Sequence, residues 1–270
     1  MTVLNNNQPL ISIITVVYNG ENFLEKTIQS VINQTYKNIE YIIIDGGSTD
    51  GTVDIIKKYE DQIDYWMSES DGGIYDAMNK GIDKASGDFA LFMNSGDIFY
   101  ENGTIKNVVD KMIDLNKVYF GRAEIYSTHA SWLHPSQTVK EQDISLWLKH
   151  EAPNHQAIFF PKKFYKNEYY NLDYSIFADA DYKERANKFS KFYFIDIIVC
   201  RFEFGGISSG FDNYKHIITM MREAWLMGIR QNEVLGAIKR ISVYNIKYIL
   251  RKTMGQKLFL KLIKKVKRYH

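Results

Sequence analysis

Residues 10–17 (LISIITVV) and 39–44 (IEYIII) are continuous apolar runs, rich in β-branched side chains and closed by polar or glycine signals. Strands buried on both faces read this way. Between them Phe23, Leu24, Ile28, Val31 and Ile32 recur at helical spacing, so the segment predicts a β-α-β unit. A second helix is expected after Gly51, carried by Val53, Ile55, Ile56 and Tyr59; then come a short strand over 64–67, a helix over 75–84 and a strand over 88–93. The later chain predicts strands at 118–121, 125–126, 157–160 and 192–198, and helices at 144–148, 181–189 and 216–227. Strands alternating with helices imply an α/β fold whose mixed, mostly parallel sheet is flanked by helices.

In such sheets ligands bind beyond the carboxyl ends of the strands. The segments there are 18–20 (YNG), 45–51 (DGGSTDG), 68–73 (SESDGG) and 94–97 (NSGD), and three of the four set Asp beside Gly. Asp, Asn, Ser and Gly also suit tight turns, which is the plainer reading of 94–97. Three such turns on one rim nevertheless point to a polar ligand rich in sugar and phosphate. Ser48, Thr49 and Asp50 suit the cap of the following helix, and Tyr75, Met78 and Lys80 read as helix surface and core.

Composition narrows the setting. The 270 residues are 45% hydrophobic, ample for one sizeable domain, and the single cysteine, Cys200, excludes an intrachain disulfide. The N-terminus has neither the basic start nor the apolar run of a signal peptide, and no apolar stretch approaches a membrane span, so a cytoplasmic location is expected. The near-neutral net charge of +2 conceals an asymmetry: residues 237–270 carry eleven of the 34 Lys and Arg and none of the 32 Asp and Glu. An acidic body with a basic tail suggests an anionic partner. At helical spacing Leu258, Phe259, Leu262, Ile263 and Val266 gather opposite Lys257, Lys261, Lys264, Lys265, Lys267 and Arg268. A basic amphipathic helix of this kind lies on a membrane surface, and the competing reading is a helix docked on the core with a solvated basic face.

Two enzyme classes with similar sheets are excluded, because the chain has neither Gly-x-Gly-x-x-Gly after its first strand nor a P-loop. A nucleotidyltransferase on a related sheet, and a nucleic-acid-binding protein using the tail, remain as alternatives. The acidic body and the scarcity of aromatics between the basic residues argue against nucleic acid as a partner.

The stretch PLISIITVVYNGENFLEKTIQSVINQTYKNIEYIIIDGGSTDGT, continued by SESDGGIYDAMNKGIDKASGDFALFMNSGD, resembles the opening of the family 2 glycosyltransferases, which have the Rossmann-like GT-A fold. The resemblance is specific from Pro9 to about Tyr100 and then thins to islands at 154–160 (NHQAIFF), 177–186 (FADADYKERA) and 204–209 (FGGISS). It implies a GT-A domain over 1–236, with 9–100 as the nucleotide-sugar half and 101–236 as the acceptor half, followed by the helical tail 237–270. It further implies an inverting transferase that moves a sugar from a nucleotide-diphosphate donor, a UDP-sugar, to a saccharide or lipid-linked saccharide acceptor in surface-polysaccharide assembly. In this frame Asp45 contacts the base, Thr15, Val17 and Tyr18 wall the nucleoside, and Asp71 adds a second polar contact. The family's Asp-x-Asp is represented by Asn94 and Asp97. Asn94 would reach the ribose, and Asp97 would hold a divalent cation, Mg²⁺ or Mn²⁺. Asp179 takes the position of the catalytic base with Asp181 two residues on, His155 reads as structural, and the glycine loop at 205–210 could face a diphosphate or acceptor. The tail would bring the enzyme to the anionic inner face of the membrane as a peripheral protein.

Overall fold

The computed structural model describes residues 8–127, 130–204, 214–230 and 234–267, with side chains described through 255 and at Leu258. The first half runs β1 (Ile11–Val17), α1 (Leu24–Ile32), β2 (Ile39–Asp45), α2 (Thr52–Lys58), β3 (Tyr65–Ser68), α3 (Ile74–Lys84) and β4 (Phe89–Phe92). The second adds β5 (Ile98–Phe99), α4 (Thr104–Val109), β6 (Tyr119–Ser127), β7 (Ala130–His134), α5 (Ile144–Trp147), β8 (Ile158–Pro161), α6 (Lys162–Tyr165) and α7 (Ala178–Phe189). β9 (Tyr193–Glu203), α8 (Tyr214–Arg230) and α9 (Val234–Lys267) complete it.

The strands form a nine-stranded sheet in the order β3-β2-β1-β4-β8-β6-β9-β5, with β7 paired to β6. β1 is central to the first half of the chain, parallel to β2 on one side and β4 on the other, and all seven of its residues are buried. Antiparallel pairing of β4 with β8, and of β8 with β6, joins the second half to this parallel core. Helices cover both faces: one apolar cluster packs Leu24, Ile28 and Val31 of α1 onto Ile11, Ile13 and Ile43, and another packs Ala77, Met78 and Ile82 of α3 onto Ile14, Ile42 and Ile44. The two faces of a strand alternate, so the continuous apolar runs are used on both sides.

The structure departs from the pattern-based expectation mainly in the second half. The strands expected at 118–121 and 125–126 are one strand, β6. Gly121 and Arg122 look like an interruption, but Arg122 is buried. Its guanidinium is met by Asp196 and by the carbonyls of Pro135, Ser136 and Val139, so the charge is carried inside the strand without breaking it. α7 begins at Ala178, three residues before the expected start, and so includes both Asp179 and Asp181. The tail is helical as expected, though α9 starts at Val234, inside the proposed 1–236 unit, and is broken at Gly255 (φ 71°, ψ 166°). The stretch of α9 ahead of the break is docked: Tyr244, Tyr248 and Leu250 pack against the cluster of Ile176, Ile217 and Met220. The amphipathic pattern at 257–268 lies, except for Leu258, outside the described side chains. Among the described residues no helix is long and apolar enough to cross a membrane.

One glycine shows how closely α3 approaches the sheet. A Cβ on Gly81 would lie 2.4 Å from Cγ2 of Ile14. Ile14 is fully buried and β-branched, so its methyl has little freedom to yield. Alanine gains at most about 1 kcal/mol of helix propensity over glycine, whereas overpacking a filled core costs about 1–3 kcal/mol. Gly81→Ala is therefore expected to lower stability by about 1–2 kcal/mol in urea denaturation; a gain in stability would show that the helix and sheet can separate freely here.

Candidate functional site

The loops after β1, β2 and β3 are built around Asp45. Its side chain is fully buried and accepts from Gly47 N (3.1 Å), Ser48 N (2.9 Å), Ser48 Oγ (2.5 Å) and Ser68 Oγ (2.6 Å). Asp45, expected at the nucleobase, has its oxygens withdrawn from solvent and committed to the loop. Two further residues expected to wall the nucleoside also lie deeper than the rim. Thr15 is fully buried and donates to Met93 O (2.7 Å), and Val17 belongs to the apolar cluster beneath α1. Neither lies on the surface of the rim.

The groups that do reach the rim are Tyr18 and Asp71. Tyr18 is 65% exposed at the end of β1. Asp71 accepts from Gly73 N (2.8 Å) and leans over the end of β2, where a Cβ on Gly46 would lie 2.6 Å from its Oδ2. The absence of a side chain at Gly46 is what admits the Asp71 carboxylate. The cap expected of Ser48, Thr49 or Asp50 is instead Gly51, which carries no side chain to cap the helix; Asp50, one residue earlier, accepts from Thr52 N (3.0 Å).

Asp97 belongs to a tight turn and also turns its side chain to a cavity. Asp97 N donates to Asn94 O (2.9 Å), and Gly96 adopts φ 99°, so 94–97 is a tight turn. Yet the Asp97 side chain is buried, and its Oδ2 has no partner. Burial pushes the carboxyl up to about 7, and a hydrogen bond from Gln156 only partly opposes this. Asn94 Oδ1 and Ser95 Oγ are likewise buried and unpartnered. Buried polar atoms normally find partners, so three bare acceptors on one turn mark a surface prepared for a ligand's donors or for a cation.

They open onto a cavity of about 480 Å³ walled by both halves of the chain. Ile74, Tyr75 and Met78 of α3 line one side, Ile125, Phe202 and Phe204 form an apolar patch on another, and the segment 152–156 runs across it. α7 contributes Asp179 and Lys183, paired at 3.0 Å. Burial acts to raise the Asp179 carboxyl, but Lys183, the His155 ring and a hydrogen bond from the Ala180 N–H together outweigh it and hold the group below the usual aspartate value. His155 is buried against Phe92, with Nε2 2.5 Å from Tyr170 Oη, and burial holds its pKa down to about 4, so it is neutral at physiological pH. Asp181 lies outside the cavity. It accepts from Arg185 Nε (2.9 Å), whose guanidinium also binds Glu168 and Tyr169 O. Asp181, expected beside the base, thus braces α7 through Arg185 and is not among the residues lining the cavity.

The cavity gathers Asn94, Asp97 and Asp179 as expected. It adds Ser95, Asn154, Gln156 and Lys183, together with Tyr75 and Met78, which read from sequence as helix surface and core. The glycine loop at 205–210 lies outside the described residues. Among the described residues no group of three or more His, Cys, Asp or Glu is assembled for a metal. Asp97 nevertheless fits one, since Mg²⁺ takes one or two protein carboxylates and completes its shell with phosphate oxygens and water.

The family model of glycosyl transferase family 2 matches residues 12–178. An uncharacterized glycosyltransferase of Mycobacterium tuberculosis is 33% identical over 220 residues, which span 74% of this chain and 78% of that protein. Among solved structures, S. aureus TarS 1–349 in complex with UDP-GlcNAc superposes with a TM-score of 0.62 at 18% identity, over 96% of this chain and 78% of that one. Another TarS crystal structure is longer, and this chain spans 39% of it. A mannosyltransferase from Pyrobaculum calidifontis, in complex with GDP-Man and Mn²⁺, gives 0.58 at 14% identity, over 96% and 79% of the two chains. The likeness to these structures establishes the GT-A fold.

The environment of Asp97 generates a stability prediction. With its pKa raised from 3.8 to about 7, the group's favourable contribution is full below pH 3.8 and is lost as pH rises through about 7. Three units correspond to about 4 kcal/mol. Asp97→Asn should therefore be more stable than the parent in urea at pH 8 with chelator present, and the difference should close as pH falls towards 4. Equal stability at pH 8 would mean that the carboxylate is better solvated than its burial indicates.

Proposed function

Because the chain belongs to glycosyl transferase family 2, we propose that it moves a sugar, with inversion, from a UDP-sugar to a hydroxyl of a saccharide or lipid-linked acceptor in surface-polysaccharide assembly. The observation that carries this reading is the shared cavity, with bare acceptors on Asn94, Ser95 and Asp97 at one end and the ionised Asp179 at another. The choice of UDP rests on the ligand of the TarS structure.

On this reading Tyr18 stacks on or flanks the base, and Asp71 takes the polar nucleoside contact expected of Asp45. Asn94 receives a hydroxyl of the ribose or of the transferred sugar. Asp97 would hold Mg²⁺ or Mn²⁺, which when bound offsets the charge of the departing diphosphate. Asp179 accepts the proton of the acceptor hydroxyl as that oxygen attacks the anomeric carbon. A carboxylate is a weak base, but the attacking oxygen turns acidic as its new bond forms, so proton transfer late in the step suffices. Lys183 keeps Asp179 ionised beforehand. Neutral His155 adds no competing charge, and Ile125, Phe202 and Phe204 exclude water from the acceptor side.

The membrane is the second partner assigned. α9 exposes Leu235, Ile238, Ile246 and Ile249 at intervals of three, eight and three residues, and α8 exposes Ile218, Trp225 and Ile229 at intervals of seven and four, so each set falls on one helix face. Exposed Arg222, Lys239 and Lys252 lie on these helices. An apolar stripe with basic neighbours fits an anionic bilayer, where each Lys or Arg near the surface contributes about 1 kcal/mol.

Two predictions test this reading. Asp179→Asn should lower transfer at least about 100-fold while leaving calorimetric affinity for UDP with Mn²⁺ unchanged, whereas Asp97→Asn should weaken that affinity. A panel of UDP-sugars and GDP-mannose identifies the donor, and turnover of GDP-mannose alone would overturn the choice of UDP. For the membrane, Leu235→Glu/Ile238→Glu/Ile249→Glu should abolish co-sedimentation with anionic vesicles at low salt while the parent chain pellets. This variant is preferred to truncation near Gly236, which would strip Tyr244 from its packing on Phe177. Equal pelleting of the two proteins removes the membrane from the proposal.

A further inference from the structure

One buried carboxylate is used neither by the cavity nor by an ion pair at the site. Glu223 of α8 is 3% exposed. Its Oε1 accepts from Ser175 N (2.7 Å) and Ser175 Oγ (2.7 Å), and its Oε2 from Ile176 N (2.9 Å) and Phe177 N (2.9 Å). These are the three residues that lead into α7, and Asp179 follows Phe177 by two positions. The same segment is held from the other side by α3, where Tyr75 donates to Ile176 O (2.6 Å). Two further contacts from the C-terminal helices converge on it: Arg230 pairs with Asp173 (2.6 Å), and Tyr244 stacks on Phe177.

We infer that Glu223 is a positioning residue for the sugar-transfer reaction. Its carboxylate collects the amides that precede α7 and so fixes where Asp179 enters the cavity, which makes the α8–α9 pair a structural part of the acceptor half of the site. The chemistry requires a carboxylate here. Four donors converge on two oxygens, and an ionised carboxylate is acceptor-only, with capacity for all four. Glutamine would turn an NH₂ group toward one pair of donors and forfeit those bonds. Aspartate is one methylene shorter and would leave the amides behind.

The inference rests on Asp179 as the base, and the test separates the two claims. With the nucleotide sugar that the parent chain turns over, Glu223→Gln is expected to lower kcat by about 10- to 100-fold, the scale of a small misplacement of a reacting group. KM for the donor and calorimetric affinity for UDP with Mn²⁺ should stay within about twofold, because the donor-side residues are untouched. Hydrogen exchange should speed up at Ser175, Ile176, Phe177 and the first turn of α7, and remain unchanged in β1 and α1. Ser175→Ala, which removes one donor and leaves Glu223 in place, should give a smaller effect of the same kind and serves if Glu223→Gln fails to fold. Unchanged kcat, or a fall matched by lost UDP affinity, overturns the inference. If Asp179→Asn retains activity, the assignment of the base fails; if no donor is turned over, the exchange result decides, and unchanged exchange at 175–177 overturns the clamp.

Discussion

The carboxylate of Asp45 is the charge around which the ligand-facing rim is arranged. Withdrawing an ionised group from water costs several kcal/mol unless its lone pairs are met, and here four donors from the chain meet them. Those donors belong to the turn after β2 and to the last residue of β3, so one buried charge dictates the course of two loops. A third is tied to them. Asn19, held at φ 49°, accepts from Thr49 N and donates its own N–H to Ser48 Oγ, and Gly20 N donates to Thr52 Oγ1. The rim is therefore a hydrogen-bonded unit before any nucleotide arrives, which lowers the ordering cost of binding.

Two of the acids that line the cavity, Asp97 and Asp179, are set in opposite directions by their surroundings. Asp97 is desolvated, and burial pushes its carboxyl up to about 7. Asp179 sits beside Lys183 and is ionised. Carboxyl groups whose environments separate them in this way take different tasks. On the proposed reading, the Asp97 end receives a cation and a diphosphate, and the Asp179 end, which carries its counter-charge in Lys183, receives a neutral hydroxyl.

The nucleotide half was legible because its signals are local. Apolar runs, glycine turns and helical spacing gave every element from β1 to β4 within a residue or two, and the rim followed from the rule that ligands lie at strand ends. What sequence could not give is the direction of a side chain at that rim. Asp45 and Asp71 both stand beside glycine, and only the fold reveals that one points inward and the other outward. The register of Asp179 and Asp181 was legible only in part, since two residues of separation on a helix place them about 200° apart, and one of them had to leave the cavity. Lys183 was missed although it lies four residues after Asp179, the spacing of a helical ion pair; a helix start placed three residues too late hid the relation. Glu223 left no local trace, because its partners are some 47 residues away.

α3 joins these parts physically. Gly73 precedes its first turn and donates to Asp71, the carboxylate available to a nucleoside. One turn on, Tyr75 donates to Ile176 O in the segment clamped by Glu223, and Asn79 exchanges hydrogen bonds with both the N–H and the C=O of Tyr170. A single helix thus touches the donor rim at its start and the approach to the base along its side, while its far face is fixed on β1 through Gly81. Because α3 cannot lift from the sheet without opening that contact, the two ends of the cavity share one rigid wall. On the proposed reading, this wall sets the distance between the donor and Asp179.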